Sequence, residues 1–425
     1  MTPFTPEEVE RITDDVIEKY RRHVNPGVAN LLKFAGFGVP EWEGEGAVVR
    51  DIAGKEYLDF VGGYGVFALG YRHPRVVQAV AEQLHRLPLK THYFLSRPVA
   101  DLCALLAEVT PGRLEYAFLC NSGTEAVEGA LKAARVFTGR PGFISAAGAF
   151  HGKTFGGLSA SGRDVYKEPF QPLVPGFRQV PFGEIEPLRA ALSDDTAAVI
   201  LEAIQGEGGV RVPPEDYLRQ VRRACDEKGV LLILDEVRTG FGRLGRLFAA
   251  DVYGIEPDLI CLGKALGGGV MPVGAFMARA EIWEAMFGEN PYLHSSTFGG
   301  NPLAAAAGLA AVRATLEERL PERAAALEPR FLGGLRAISA QHPDVLKEVR
   351  GRGLLAGIEF HDPDVAKLAI TTAGHRGLLA AYSLNNPCVV RLEPPLIVTE
   401  AQIDQALESL AGAIRDSLEV LAELE

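Results

Sequence analysis

The sequence predicts an α/β protein built on a mostly parallel sheet, and three observations predict it. First, apolar runs at Tyr116–Cys120, Ala198–Leu201, Val230–Leu234 and Leu259–Leu262 are separated by helix-length segments. Continuous apolar runs, rather than alternating ones, are what parallel strands covered on both faces require. Second, three of these runs stop at polar or charged residues: Asn121-Ser122, Asp235-Glu236 and Gly263-Lys264. In a doubly wound sheet, ligands bind in the crevice at the carboxyl ends of the strands. Third, 425 residues are too many for one average domain, so a large and a small domain are expected.

Composition narrows the function classes. Apolar residues make up 47% and charged residues 23%, as in an ordinary globular protein. Lys+Arg 43 against Asp+Glu 55 gives a net charge of −12, which disfavours a nucleic-acid surface but leaves room for a local anion pocket. No apolar run approaches the roughly 18 residues of a membrane span. The start, MTPFTPEEVE, is acidic and lacks an apolar stretch behind it, so no secretory signal is expected. The five cysteines (Cys103, Cys120, Cys225, Cys261, Cys388) are scattered without CxxC spacing. They read as reduced thiols of a cytoplasmic protein, with no metal centre.

Along the chain, Thr5-Pro6-Glu7-Glu8 has the form of a capping box with proline at the first helical position. Val9, Ile12, Val16 and Tyr20 follow at helical spacing. A Gly- and Pro-rich stretch reaches about residue 60, and after Pro302 comes a small-residue helix, LAAAAGLAAVRATLEERL. We therefore expect residues 61–302 to form the large domain. Residues 1–60 and 303–425, the two chain ends, would form a smaller α+β domain.

Each strand end has a chemical reading and a plainer one. Asn121-Ser122-Gly123-Thr124-Glu125 precedes a helix with Val127, Ala130, Leu131 and Ala134 on one face. Exposed N–H groups, hydroxyls and a helix N-terminus make a phosphate cradle, and an ordinary N-cap accounts for the same residues. Asp235 follows an apolar run, where a carboxylate is costly to bury without a partner. A protonated ring nitrogen of a cofactor is one such partner, and a helix cap is another. Lys264, between an apolar strand and Gly267-Gly268-Gly269, is placed to lose solvation and basicity, as an imine-forming amine requires. A lysine reaching back to solvent is the alternative. The three together, in this order, favour the chemical reading.

The motifs NSGTEA, Phe150-His151-Gly152, LEAIQGEGG, LDEVRTGFGR, GKALGGG and STFGGNP resemble the class III (ω-type) aminotransferases of pyridoxal-5'-phosphate (PLP) fold type I. The likeness runs over nearly the whole chain. HVNPG, FGGNPLA, PFGEIE and CLGKALGGGVMPVGA look most like the putrescine (diamine) branch. The resemblance implies that Lys264 carries the cofactor as an imine and that Asp235 partners its ring nitrogen. It makes Ser122, Gly123 and Thr124 the phosphate loop, with Thr297 reaching the phosphate from a neighbouring subunit. At least a dimer with shared sites is thereby implied. Phe150 matches the aromatic that stacks on the ring, a role its flat face suits, with His151 beside it. Glu202 matches a carboxylate of the cofactor-side network. Glu207 and Arg391 resemble a pair in which the arginine receives a substrate carboxylate and the glutamate shields it; a structural salt bridge is the alternative.

Two positions depart from the family. Arg238 stands where glutamine is usual, so a guanidinium either donates to the cofactor's phenolic oxygen or points away from it. Ala203 stands where proline is common, with no loss of chemistry. The expected reaction moves a terminal primary amino group from putrescine or a similar diamine to a keto acid such as 2-oxoglutarate or pyruvate. Ornithine, acetylornithine, lysine and 4-aminobutyrate ω-aminotransferases are alternatives on the same motifs, as is a racemase. A PLP-binding regulator is disfavoured for want of room for a DNA-binding domain.

Overall fold

Seven strands of the central sheet carry the carboxyl-end crevice, in a computed structural model that describes residues 4–424. Met1–Pro3 and Glu425, the outer ends of the two expected terminal segments, lie outside the described residues. The chain enters through a helix, Pro6–Lys19, whose capping box forms as expected. Thr5 Oγ1 accepts from Glu8 N at 3.3 Å, and Glu8 Oε2 accepts from Thr5 N at 2.8 Å. Strands β1 (Glu41–Glu45), β2 (Val48–Asp51) and β3 (Glu56–Asp59) follow.

The central sheet comprises β4 (Tyr116–Cys120), β5 (Gly142–Ala146), β6 (Phe177–Val180), β7 (Thr196–Glu202), β8 (Leu231–Asp235), β9 (Leu259–Leu262) and β10 (Gly274–Ala278). Their spatial order is β4-β10-β9-β8-β7-β5-β6. Neighbouring pairs from β9 to β6 are parallel, and β10 is antiparallel to both β4 and β9. Every residue of β7, β8 and β9 is buried, which is why these strands read as unbroken apolar runs. The observed ends matter more than the starts. β7 extends to Glu202 and β8 to Asp235, so both carboxylates are the last residues of their strands.

The helix Gly123–Thr138 starts at the end of β4 and buries Val127, Ala130, Leu131 and Ala134, the face read from sequence. Gly129 on it lies so close to the Phe276 ring of β10 that no side chain fits. The small-residue helix Pro302–Glu317 packs against helices Pro74–Arg86 and Arg97–Val109 and against the turn Lys264–Gly267, backing the lysine.

The later strands are β11 (Leu346–Arg352), β12 (Leu355–Phe360), β13 (Leu378–Leu379), β14 (Ala381–Ser383) and β15 (Asn386–Leu392). β13 pairs with β3 in parallel, Leu378 opposite Leu58, so the two ends of the chain share one sheet in the order β1-β2-β3-β13. The others form an antiparallel sheet, β11-β12-β15-β14. No helix among the described residues is long and apolar enough to cross a membrane.

Candidate active site

Strand register places Glu202 at the end of β7 directly opposite Asp235 at the end of β8. Two neighbouring buried carboxylates repel each other unless each has its own donors. Glu202 accepts from Phe150 N at 2.9 Å and Gly206 N at 3.1 Å. Burial and the nearby Asp235 raise its pKa above the usual range. Asp235 accepts from Val237 N at 3.1 Å and from His151 Nδ1 at 2.7 Å. Burial pushes the enclosed His151 imidazole down, but the hydrogen bond and charge of Asp235 outweigh it, and the net shift is upward. Phe150 is thus fixed by its own backbone through Glu202, and His151 by its ring through Asp235.

On the next strand, Gly263 is extended and Lys264 turns with φ of 45°, a left-handed conformation that a side-chain-bearing residue rarely adopts. Strain of this kind persists where surrounding structure enforces it, commonly at functional sites. Burial, reinforced by the Arg238 charge, lowers the Lys264 pKa from 10.5 to about 7, while Glu393 and Glu207 pull the other way. Near neutral pH much of this lysine is the free amine, the form that attacks a carbonyl.

These groups face one cavity of about 280 Å³, whose wall includes Gly123, Thr124, Phe150, His151, Glu202, Asp235, Arg238 and Lys264. Two glycines in this wall cannot be replaced. A Cβ at Gly123 would sit 2.7 Å from the Val237 side chain. One at Gly152, where φ is 109°, would collide with Thr124. Ser122 stands just outside as the N-cap, its hydroxyl accepting from Glu125 N at 3.3 Å. A larger cavity of about 520 Å³ lies between the N-terminal helices and β2, but its lining is largely apolar and contains no lysine or histidine. The lysine, the histidine and the strand-end carboxylates line the smaller one.

Glu207 and Arg391 are not in the wall; they join it through Arg238. Arg238 is buried, and its Nη2 donates to Glu207 Oε1 at 2.6 Å while Nη1 donates to both oxygens of Glu393 at 2.6 and 2.7 Å. The guanidinium therefore neither points to solvent nor stands free. Arg391 Nη1 lies 2.8 Å from Glu207 Oε1, close enough for an ion pair. Burial pushes the Glu207 carboxyl up, but the two guanidiniums prevail and hold it at about 2. Thr297 is exposed and away from the cavity; its carbonyl accepts from His92 Nε2 at 2.9 Å.

Two charged residues in or near the wall escaped the sequence reading. Lys153 follows Gly152 in the wall. Glu393 is fully buried and bonded to Arg238. Glu393 did carry a signal: it is a charge directly after β15, two residues beyond Arg391, in an otherwise apolar stretch.

A family profile described as Aminotransferase class-III matches residues 37–414. The chain is a class III aminotransferase. It is 34% identical to the ornithine aminotransferase of Toxoplasma gondii ME49, over 99% of this chain and 100% of that one, with a TM-score of 0.89. The ornithine δ-aminotransferase of Plasmodium falciparum is 31% identical over 89% and 94%, with a TM-score of 0.78. A thermostable ω-transaminase mutant from Pseudomonas jessenii is 28% identical over 92% and 95%, with a TM-score of 0.85. The enzyme has the α/β fold of PLP fold type I and uses PLP as cofactor.

The residues present fit that cofactor. The cavity supplies a primary amine of lowered basicity, a buried carboxylate held by His151, a partly buried aromatic and a glycine-lined helix start. That set answers an aldehyde, a ring nitrogen, a flat ring and a phosphate.

Proposed function

We propose that the enzyme moves a terminal primary amino group, from putrescine or a similar diamine, to a keto acid such as 2-oxoglutarate or pyruvate. The observation that carries this is the ionic chain Arg391–Glu207–Arg238–Glu393 beside Lys264. Two guanidiniums and two carboxylates balance, so a donor without a carboxylate needs no rearrangement of charge. An acceptor with one finds Arg391. PLP, when bound, draws electrons from the donor carbon through its protonated ring. Asp235, backed by His151, keeps that ring charged. The Lys264 amine would take the proton from the donor carbon and pass it to the cofactor carbon that bears the transferred nitrogen. Phe150 would cover a ring face, and Ser122, Gly123 and Thr124 would hold the phosphate.

Ornithine as donor is the second reading, favoured by whole-length similarity to ornithine aminotransferases. Its carboxylate would also use Arg391. Following the cofactor's visible absorbance in single half-reactions with putrescine, cadaverine, ornithine and 4-aminobutyrate decides between them. We expect the diamines to react fastest. A faster reaction with ornithine would replace the first reading by the second.

The proposal includes a homodimer with shared sites, working in the cytoplasm with its cysteines reduced; all five are free thiols in the fold. Support for assembly comes from the surface around Thr297. Tyr93, Phe94 and Leu95 are 91%, 80% and 104% exposed, and Tyr292 and Phe298 are also open. Exposed aromatics concentrated in this way mark contact surfaces. Sedimentation at micromolar concentration should give a dimer or larger, and Thr297→Ala should weaken PLP binding. A fully active monomer would overturn both statements.

A further inference from the structure

We infer that Asn385 is a positioning residue for the cofactor site, holding from the C-terminal sheet the loop that presents Phe150. It acts through the backbone beside Phe150. The inference rests on the reading of Phe150 as the aromatic that covers the cofactor ring.

The first observation is how that loop is held. Residues 147–154 link β5 to the helix Phe155–Ala160 and belong to neither. Their backbone groups lack a ladder and must find partners elsewhere. Around Phe150 many of these partners are side chains of distant segments. Ala147 O accepts from Gln205 Nε2 at 2.9 Å, Phe150 N donates to Glu202 Oε1 at 2.9 Å, and His151 N donates to Ser161 Oγ at 3.0 Å. Gly148 O and Ala149 O both accept from Asn385 Nδ2, at 2.9 and 3.2 Å. Gly148 has a φ of 79°, a turn that glycine makes without strain, and its carbonyl and the next face one side chain.

The second observation is where Asn385 comes from. Glu202 ends β7, Gln205 follows it, and Ser161 follows the helix Phe155–Ala160, all beside the central sheet. Of these four side chains only Asn385 belongs to the sheet β11-β12-β15-β14, at the turn between β14 and β15. That turn is docked without it. Asn385 N donates to Glu207 O at 2.9 Å, Leu384 N donates to Glu207 Oε2 at 2.9 Å, and Leu384 O accepts from Arg163 Nη1. The side chain is therefore delivered by a fixed backbone and is free to serve the loop.

The third observation is the chemistry of that side chain. Two carbonyl oxygens at one point need two N–H groups, and a primary amide supplies both from one nitrogen. Asn385 Oδ1 is buried without a partner, so the side chain serves by donation alone. Ala149 O has a second donor, Gly162 N at 2.8 Å, whereas Gly148 O depends on Asn385. Without the amide, a half-buried carbonyl two residues before Phe150 loses its donor, which is costly. The loop would shift to satisfy it, and the Phe150 ring would shift with it.

Titrating PLP into the cofactor-free protein, with its Kd and the visible circular dichroism of the bound cofactor as readouts, tests this. Asn385→Ala should raise the Kd by about 3- to 10-fold, the worth of one hydrogen bond. Asn385→Asp, nearly the same shape, should raise it further, because a carboxylate would face two carbonyl oxygens. Both should weaken the dichroic band, which reports how firmly the cofactor ring is oriented. A contact that merely stabilised the fold would leave that band as in wild type. In a Phe150→Leu background Asn385→Ala should add little, since the residue through which it acts is gone. A wild-type Kd and band in Asn385→Ala would overturn the inference, as would its full effect persisting beside Phe150→Leu. Should Asn385→Asp fail to fold, Asn385→Ala decides alone, since the backbone bonds that dock the turn stay in place. Phe150→Leu by itself separates the two levels. Unchanged PLP binding there refutes the stacking reading and the inference with it. Weaker binding there, beside wild-type binding in Asn385→Ala, refutes only the positioning role.

Discussion

Replacing Lys264 with alanine is expected to abolish turnover and leave the protein folded. Proton transfer by a positioned side chain contributes about 10²–10⁴-fold, and Lys264 also supplies the covalent attachment, so the loss is at least on that scale. Persistence of the fold follows from the lysine's own energetics. Its pKa in the folded protein is about 7, below the usual 10.5. Between those values the unfolded chain binds more protons than the folded one, so this group makes stability rise with pH across that window. Below pH 7 the cost of burying the ammonium is present in full. Alanine removes that cost. The cofactor-free variant should therefore have a urea midpoint at pH 6 no lower than that of the cofactor-free wild type. Borohydride reduction and peptide mapping of the wild type should place PLP on Lys264. Lys153 is the informative competitor, since it shares the cavity wall and burial lowers its pKa too. Label on Lys153 would sink the assignment.

The residues legible from sequence were those whose signal is local. Lys264 and Asp235 each end an apolar run, and a charge at the end of a buried strand is conspicuous without any knowledge of its neighbours. The Gly123 helix start was legible for the same reason. What stayed hidden depends on residues far apart in the chain. Arg238 offered two orientations on sequence grounds, and its partners Glu207 and Glu393 decide between them, one of them 155 positions away. The antiparallel strand β10, with its GAFMA sequence, carries no mark of direction; its pairing with β4 and β9 sets it. β5 and β6 went unread because a glycine, a serine and an arginine interrupt their apolar character. The pairing of β13 with β3 joins segments more than 300 residues apart, and a two-residue strand leaves no periodicity to read.

Asp235→Asn should slow the reaction by roughly 10- to 200-fold while PLP still binds. The amide keeps the shape of the carboxylate and can still accept from Val237 N, so the strand end is preserved. What disappears is the negative charge that stabilises a protonated ring nitrogen. An ionic hydrogen bond of this kind is worth on the order of 1.5–3 kcal/mol, and about 1.4 kcal/mol corresponds to a factor of ten in rate. His151 loses its counterion in the same substitution. In the wild type that imidazole has a pKa raised above 6.5 by Asp235. The stability it contributes is complete below pH 6.5 and is lost as pH rises through the folded-state value. The asparagine variant should lack this dependence, and its urea midpoint should fall most, relative to wild type, at pH 6 and below. Rate and stability thus report on the two oxygens' surroundings separately. A near-wild-type rate would mean that a group other than Asp235 keeps the ring protonated. An unchanged midpoint at pH 6 would mean that His151 is neutral in the fold.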